Sequence, residues 1–344
     1  MLSRPLLFLL WVGFALSAAG QTNGAIGRLN DIEDGLGHLD AKLTRQMNEL
    51  LWFQRLSDVA VVDKVRFTGP PPHGPDNSAA PPGSNEVVVS AFTFVPRQRH
   101  HARKVPLLVF AHGEIHGNVA SDEEAHVVRE MVEQGYAVIA PDYRGSSGYG
   151  GDFWHQIDYG GLEIEDVHAA RQWMLEHYGF LDPRRVGIIG WSHGGAIALL
   201  TVFAHPDDYQ ACYAGVPVSD LEERIRLRGK DYEQLFAAPY HIGHTVAEAT
   251  EEYHRRSPAW NAHKLRTPLL VHANTNDQDV TAGEVERLIH ALQAAEKNFQ
   301  YRIYTNAPGG HLFNRLDTAT AQESRAEIWH FLAGYLHPPQ PLGS

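Results

Sequence analysis

The sequence predicts an α/β fold, a mostly parallel, twisted sheet covered by helices on both faces. Three observations carry this. From Glu86 onward, short apolar runs of strand type alternate with longer segments of helical periodicity, the pattern of a sheet built from crossover units. One run, residues 186–189, passes through Gly190-Trp191-Ser192-His193-Gly194 straight into a helical pattern over 196–204. Asp277 and His311 then follow two later strand ends, 269–272 and 301–304. In sheets of this kind chemistry gathers beyond the C-terminal ends of the strands.

The chain has 344 residues, enough for one large domain with a substantial core. At 43% hydrophobic and 20% charged residues its composition is globular rather than disordered. Lys and Arg total 29 against 41 Asp and Glu, a net charge of −12. That excess of acid disfavours a nucleic-acid partner and adhesion to an anionic membrane. The 21 histidines are scattered. His112 and His116 are four apart but sit in a Gly-rich loop, and no His-Glu-x-x-His helix occurs. Neither a metal nor a cofactor is therefore expected. Cys212, the one cysteine, lies in an apolar stretch and reads as a buried, inert thiol.

Residues 1–20 read as an export signal. Arg4 supplies the positive end, 6–16 the apolar segment, and Ala18, Ala19 and Gly20 the small residues before a cut. The apolar segment is shorter than the ~20 residues of a membrane span, and an uncleaved anchor is the alternative. The mature protein is then secreted or periplasmic, with no inserted segment. Residues 21–68 form an N-terminal arm. Leu29, Leu36, Leu43 and Leu50 recur every seven residues, with Ile32, Leu39 and Phe53 at the complementary positions and Gln46 breaking the series. A helix over 23–57 with this stripe either docks on its own domain or forms a coiled-coil homodimer. Gly35 and Gly37 weaken its first half. Residues 59–67 read as a strand, and 69–84, with six prolines, as a linker.

The catalytic domain is expected over 85–338. Residues 87–95 read as a strand at a sheet edge and 105–111 as a buried strand. Ser121 opens a helix with a capping box to Glu124, and Gly135 closes it. Strand 136–140, helix 162–178 and strand 186–189 follow, then strands 211–216 and 268–272. Helix 284–295, strand 299–304 and helix 320–336 complete the order. Residues 220–262, rich in charge and aromatics, break the alternation. They read either as an excursion over the site or as a surface insert.

A Gly-x-Ser-x-Gly turn is too sharp for side chains at its flanks, and it pushes the serine hydroxyl out over the end of the sheet. Ser192 thus reads as a nucleophile. The N–H of His193 lies at a helix N-terminus, where partial positive charge can hold an oxyanion. Serine needs a base within reach, and the base needs an orienting carboxylate. The chain order Ser, Asp, His suits this fold class: His311 is the base and Asp277 the acid. Asp279 is the alternative acid, though it is better suited to capping the helix that starts near Thr281. The second oxyanion donor is expected in the loop after 105–111, from the N–H of Glu114 first and Gly113 second.

Five segments, in order, resemble the catalytic domain of the prolyl oligopeptidase family of serine peptidases, within the α/β-hydrolases. Asp142-Tyr143-Arg144-Gly145-Ser146-Ser147-Gly148-Tyr149-Gly150 with Phe153 resembles its Arg-Gly-Ser-x-Gly-Tyr-Gly signature. Residues 163–173 resemble the helix before the nucleophile, and 190–195 match Gly-x-Ser-x-Gly-Gly. Asp277 stands three before Val280, as the family acid does, and 308–311 resemble Pro-Gly-x-x-His. The resemblance spans roughly 86–336 and implies the α/β-hydrolase fold. Three departures stand out. About 65 residues before the first domain strand are too few for the β-propeller of many members, so no propeller is expected. No carboxylates equivalent to those that grip a substrate amine are visible. Glu114 replaces a glycine of the oxyanion loop, and its charge must point away from an oxyanion.

The expected function is an exported serine hydrolase cleaving peptide bonds through an acyl-enzyme. A carboxylesterase with the same residues is the runner-up, and a non-catalytic binding module the third reading.

Overall fold

The structure, a computed structural model, describes residues 4–72, 85–98 and 104–342, with side chains from Arg28 onward except that of Glu123. The export signal expected over 1–20 and most of the proline-rich linker lie outside the described residues or side chains. Among the described residues, no helix is long and apolar enough to cross a membrane.

Helix α1 (Arg4–Leu56) leads into strands β1 (Ala60–Gly69), β2 (Val87–Pro96) and β3 (Val105–Ala111). Next come α2 (Ser121–Glu133), β4 (Ala137–Asp142), the one-turn α3 (Gly151–Trp154), α4 (Glu163–His177), β5 (Leu181–Trp191), α5 (His193–Ala204) and β6 (Ala211–Gly215). Three short helices follow, α6 (Leu221–Arg228), α7 (Lys230–Ala237) and α8 (Thr250–Arg255). The chain closes with β7 (Leu269–Asn274), α9 (Ala282–Ala294), β8 (Gln300–Tyr304) and α10 (Ala319–Leu336).

The eight strands form one sheet in the order β1-β2-β4-β3-β5-β6-β7-β8. Pairings β1·β2 and β2·β4 are antiparallel and the other five parallel. β3 is buried at every position, as a strand covered on both faces must be. Its side chains alternate between two cores. Leu107, Val109 and Ala111 pack with α4, α5 and α9 residues such as Val167, Ile197 and Leu288. Leu108 and Phe110 pack with Trp52 of α1, Met131 of α2 and Trp329 of α10.

Four expectations are corrected. β2 is not at an edge, because β1 pairs with it over ten residues, so 60–69 belong to the sheet rather than to the arm. Ser121 does not cap α2: the N-cap is Ala120, with no side-chain cap bond. The Ser121 N–H and hydroxyl both donate to Asn48 Oδ1 of α1, at 3.3 and 3.0 Å, so a distant carboxamide does the capping. Thr281, not Asp279, caps α9, accepting from the Glu284 N–H at 3.3 Å.

The fourth concerns α1. It does dock on the domain, but not by its leucine stripe. His38, Ala41, Arg45, Asn48 and Trp52 face the domain instead. Arg45 Nε donates to the Gly148 carbonyl at 2.8 Å, and its guanidinium lies over the Tyr149 ring. A Cβ at Gly148 would lie 2.9 Å from the Ala41 carbonyl oxygen, so this glycine permits the contact. Trp52 is fully buried 4.9 Å from Phe94 and donates to the Val119 carbonyl at 3.1 Å. The seven-residue stripe is left in solvent.

Trp52→Ala removes this anchor and leaves a cavity. The expected loss is about 3–5 kcal/mol of stability, read as a shift in the urea midpoint at unchanged m.

Candidate active site

β5 ends at Trp191 and α5 begins at His193, leaving Ser192 alone in the turn with φ 59°. A positive φ is strained for serine and is held by its surroundings. The Ser192 N–H donates to the Gly215 carbonyl at 2.9 Å. A Cβ at Gly190 would meet the Gly194 carbonyl oxygen at 2.2 Å, and one at Gly194 the Ala111 carbonyl oxygen at 2.1 Å. No side chain fits either place, so the glycines are a steric requirement.

Asp277 stands in the loop after β7, and His311 in a 3-10 turn after β8. Asp277 Oδ1 accepts the N–H groups of Asp279 and Val280 at 2.8 and 2.9 Å, and Oδ2 lies 2.7 Å from His311 Nδ1. With Nδ1–H donating to the carboxylate, the Nε2 lone pair is left to accept a proton. Asp279 is held by Arg224 and Arg228, and its Oδ2 lies 3.7 Å from His311 Nε2. The carboxylate that orients the imidazole is therefore that of Asp277. Ser192 and His311 line one cavity of about 680 Å³. The Ser192 hydroxyl makes no hydrogen bond among the described residues, to His311 or otherwise. Such a bond often tightens only when substrate binds.

Glu114, at φ 64°, and Gly113 line the same cavity. A Cβ at Gly113 would lie 3.6 Å from Ser192 Cβ, so this loop packs directly on the Ser192 turn. The N–H groups of His193 and Glu114 donate to nothing among the described residues. His112 Nδ1 lies 2.8 Å from the Gly113 carbonyl oxygen. In a trans peptide the N–H opposes the C=O, so this contact turns the Glu114 N–H away from His112. Glu114 itself is exposed at the cavity. Arg224 and Tyr232 of the 220–262 excursion line the cavity too, as do Thr44 and Asn48 of α1.

Sequence reasoning missed the supports of this loop. His193 is buried, with Nδ1 2.8 Å from the Glu114 carbonyl oxygen and Nε2 2.9 Å from Glu163 Oε2. The Tyr159 ring stacks on it at 3.9 Å. A carbonyl only accepts, so Nδ1 carries the proton that meets Glu114, and the Glu163 carboxyl holds the other edge of the ring. Glu163 thus steers the Glu114 carbonyl through His193. Its place at the start of the family-like helix was the available signal. Arg144 and Asp166 form a fully buried ion pair at 2.7 Å that ties the signature loop to α4.

His168, His205 and Asp208 are the one cluster with metal-ligand spacing among the described residues. The two rings are parallel at 3.7 Å, so their in-plane lone pairs run side by side rather than converging on one ion.

Fold and site together define the class: an α/β-hydrolase fold with a serine at the sharp β5–α5 turn. Residues 122–338 match the prolyl oligopeptidase family of peptidases. The chain belongs to that family. It is 28% identical over 223 residues to the uncharacterized peptidase YuxL of Bacillus subtilis, covering 64% of this chain and 33% of that protein. It is 24% identical to the acylamino-acid-releasing enzyme of Mus musculus, covering 77% and 36%. Among solved structures, a puromycin-hydrolyzing peptidase of Mycobacterium tuberculosis superposes with a TM-score of 0.63 at 25% identity, over 74% of this chain and 38% of the other. The Pyrococcus horikoshii acylaminoacyl peptidase shares the fold at TM-score 0.63 and 18% identity, over 86% and 45%. The chain spans about a third of the length of the curated relatives it matches.

Two outcomes are expected. Burial pushes His112 from its usual 6.5 down to about 4. The folded state then binds fewer protons than the unfolded one between those values, so stability is full above about pH 6.5 and falls as pH drops toward 4. The His112 share is on the order of 3 kcal/mol. Urea midpoints measured down this range should fall in the wild type and fall less in His112→Asn. Glu163→Ala should cut kcat about 10- to 100-fold with little change in KM. Glu163→Gln, which can still meet the ring, should restore most of it.

Proposed function

We propose that the protein is an exported serine hydrolase of prolyl oligopeptidase type that cleaves peptide or amide bonds through Ser192, His311 and Asp277. One observation carries the reading: an imidazole oriented by a buried carboxylate opens into the same cavity as a serine held at the strained β5–α5 turn. Ser192 Oγ attacks the substrate carbonyl while His311 Nε2 takes its proton. The N–H groups of His193 and Glu114, with Gly113 as the second choice in the loop, hold the oxyanion. His311 returns the proton to the leaving amine, and Asp277 keeps the ring in the Nδ1–H form throughout. Water then attacks the acyl-enzyme and releases the acid.

Relatives named for releasing acylated amino acids support short blocked peptides as the first substrates to offer. Export rests on residues 1–20 and places the mature protein outside the cytoplasm.

A fluorophosphonate probe should label the wild type and not Ser192→Ala. Asp277→Asn should lower kcat by about 10³–10⁴ without unfolding the protein. Offered a panel of peptide amides and p-nitrophenyl esters, the wild type should turn over both. Ester turnover with no amide turnover would make it a carboxylesterase, and a folded wild type that takes no probe would be a binding module.

A further inference from the structure

We propose that α1 pairs, in parallel and in register, with the same helix of a second copy of this chain, through residues 29–53, as a two-stranded coiled coil. Leu29, Leu36, Leu43 and Leu50 occupy one inner row at seven-residue intervals. Ile32, Leu39 and Phe53 occupy the other. Each is at least 41% exposed although the helix is already docked. At 100° per residue, the docked face lies roughly 160° around the helix from this stripe. The protomer bodies therefore sit on the outer sides of the pair and do not collide at the seam.

The stripe has the 3.5-residue period that winds two helices around each other, rather than the 3.6-residue period of a helix lying flat on a domain. With Met47 it exposes on the order of 900 Å² of side chain, against the ~800 Å² that each partner buries in a specific interface. A monomer rarely leaves a patch of that size in water.

Gln46 points to an identical partner. It fills the inner position between Leu39 and Phe53, where the row would otherwise be apolar. Opposite its own counterpart, each carboxamide can donate to and accept from the other. That meeting occurs only in a parallel, in-register pair, whereas a pair shifted by seven residues sets the amide against Leu39 or Phe53, and a reversed pair sets it against the leucine row. A single polar inner residue is a known way to fix register. Pairing also bears on the site, because the inner face of α1 carries Thr44 and Asn48 into the cavity wall. A second helix along the outer face stiffens that wall.

Light scattering on the full chain at micromolar concentration should give twice the chain mass. The double variant Leu36→Lys/Leu43→Lys should give the single mass with an unchanged circular dichroism spectrum, since neither side chain is part of the protomer core. Leu43→Cys should crosslink to its own copy on mild oxidation, and Asn30→Cys, on the far side of the helix, should not. The native Cys212 is buried and does not interfere. A wild type at the single mass, or a double variant that stays paired, overturns the proposal. A paired wild type whose Leu43→Cys form does not crosslink overturns the parallel register. These readouts need no turnover, so their failure is separate from failure of the hydrolase reading.

Discussion

The close crossing of β3, β5 and α5 is the constraint on which the rest depends. Gly194 sits so near the end of β3 that a methyl group would overlap the Ala111 carbonyl, and Gly190 is equally closed by Gly194. That crossing forces the chain through a turn in which Ser192 takes a positive φ. It also brings the loop after β3, with Gly113 and Glu114, against the serine. The Ser192 turn and the loop after β3 are thus one steric unit, assembled by the same absence of side chains.

Around this unit the protein spends its buried polar groups. His193 holds the Glu114 carbonyl and is held by Glu163, while His112 reaches the Gly113 carbonyl. Arg144 and Asp166 join the signature loop to α4. Ion pairs and imidazoles buried this deeply add little net stability over apolar packing, but breaking one is costly. Their physical effect is to leave the loops around the cavity few alternative conformations. Asp277 is bound in the same way, with two backbone N–H groups on one oxygen and His311 on the other.

Helix α1 serves two surfaces at once. Its inner face rests on Gly148 and Tyr149, caps α2 through Asn48 and lines the cavity. Its outer face carries the regular apolar row. The more conspicuous row is not the one that meets the domain. The docking face instead combines one tryptophan with polar residues whose partners lie about 70–100 positions away in the sequence, such as Asn48 with Ser121 and Arg45 with Gly148.

What the sequence by itself determined was local. Apolar runs of strand length, helical periodicity and turn glycines are short-range signals, and most strands and helices from 60 onward stand within a few residues of where they predict them, though β5 begins five residues earlier than its apolar run, at Leu181, and α6, α7 and α8 carried no separate signal. The Gly-x-Ser-x-Gly turn placed Ser192, and the strand ends placed Asp277 and His311, because each depends on the element beside it. The tertiary structure decided what depends on contact between distant elements. It made β1 the edge strand in place of β2, and it gave the α2 cap to Asn48. It assigned Asp277 rather than Asp279 to the imidazole, set His193 between Glu114 and Glu163, and chose which face of α1 docks. Periodicity tells which faces are apolar, whereas only the packed chain selects which of two apolar or polar faces finds a partner.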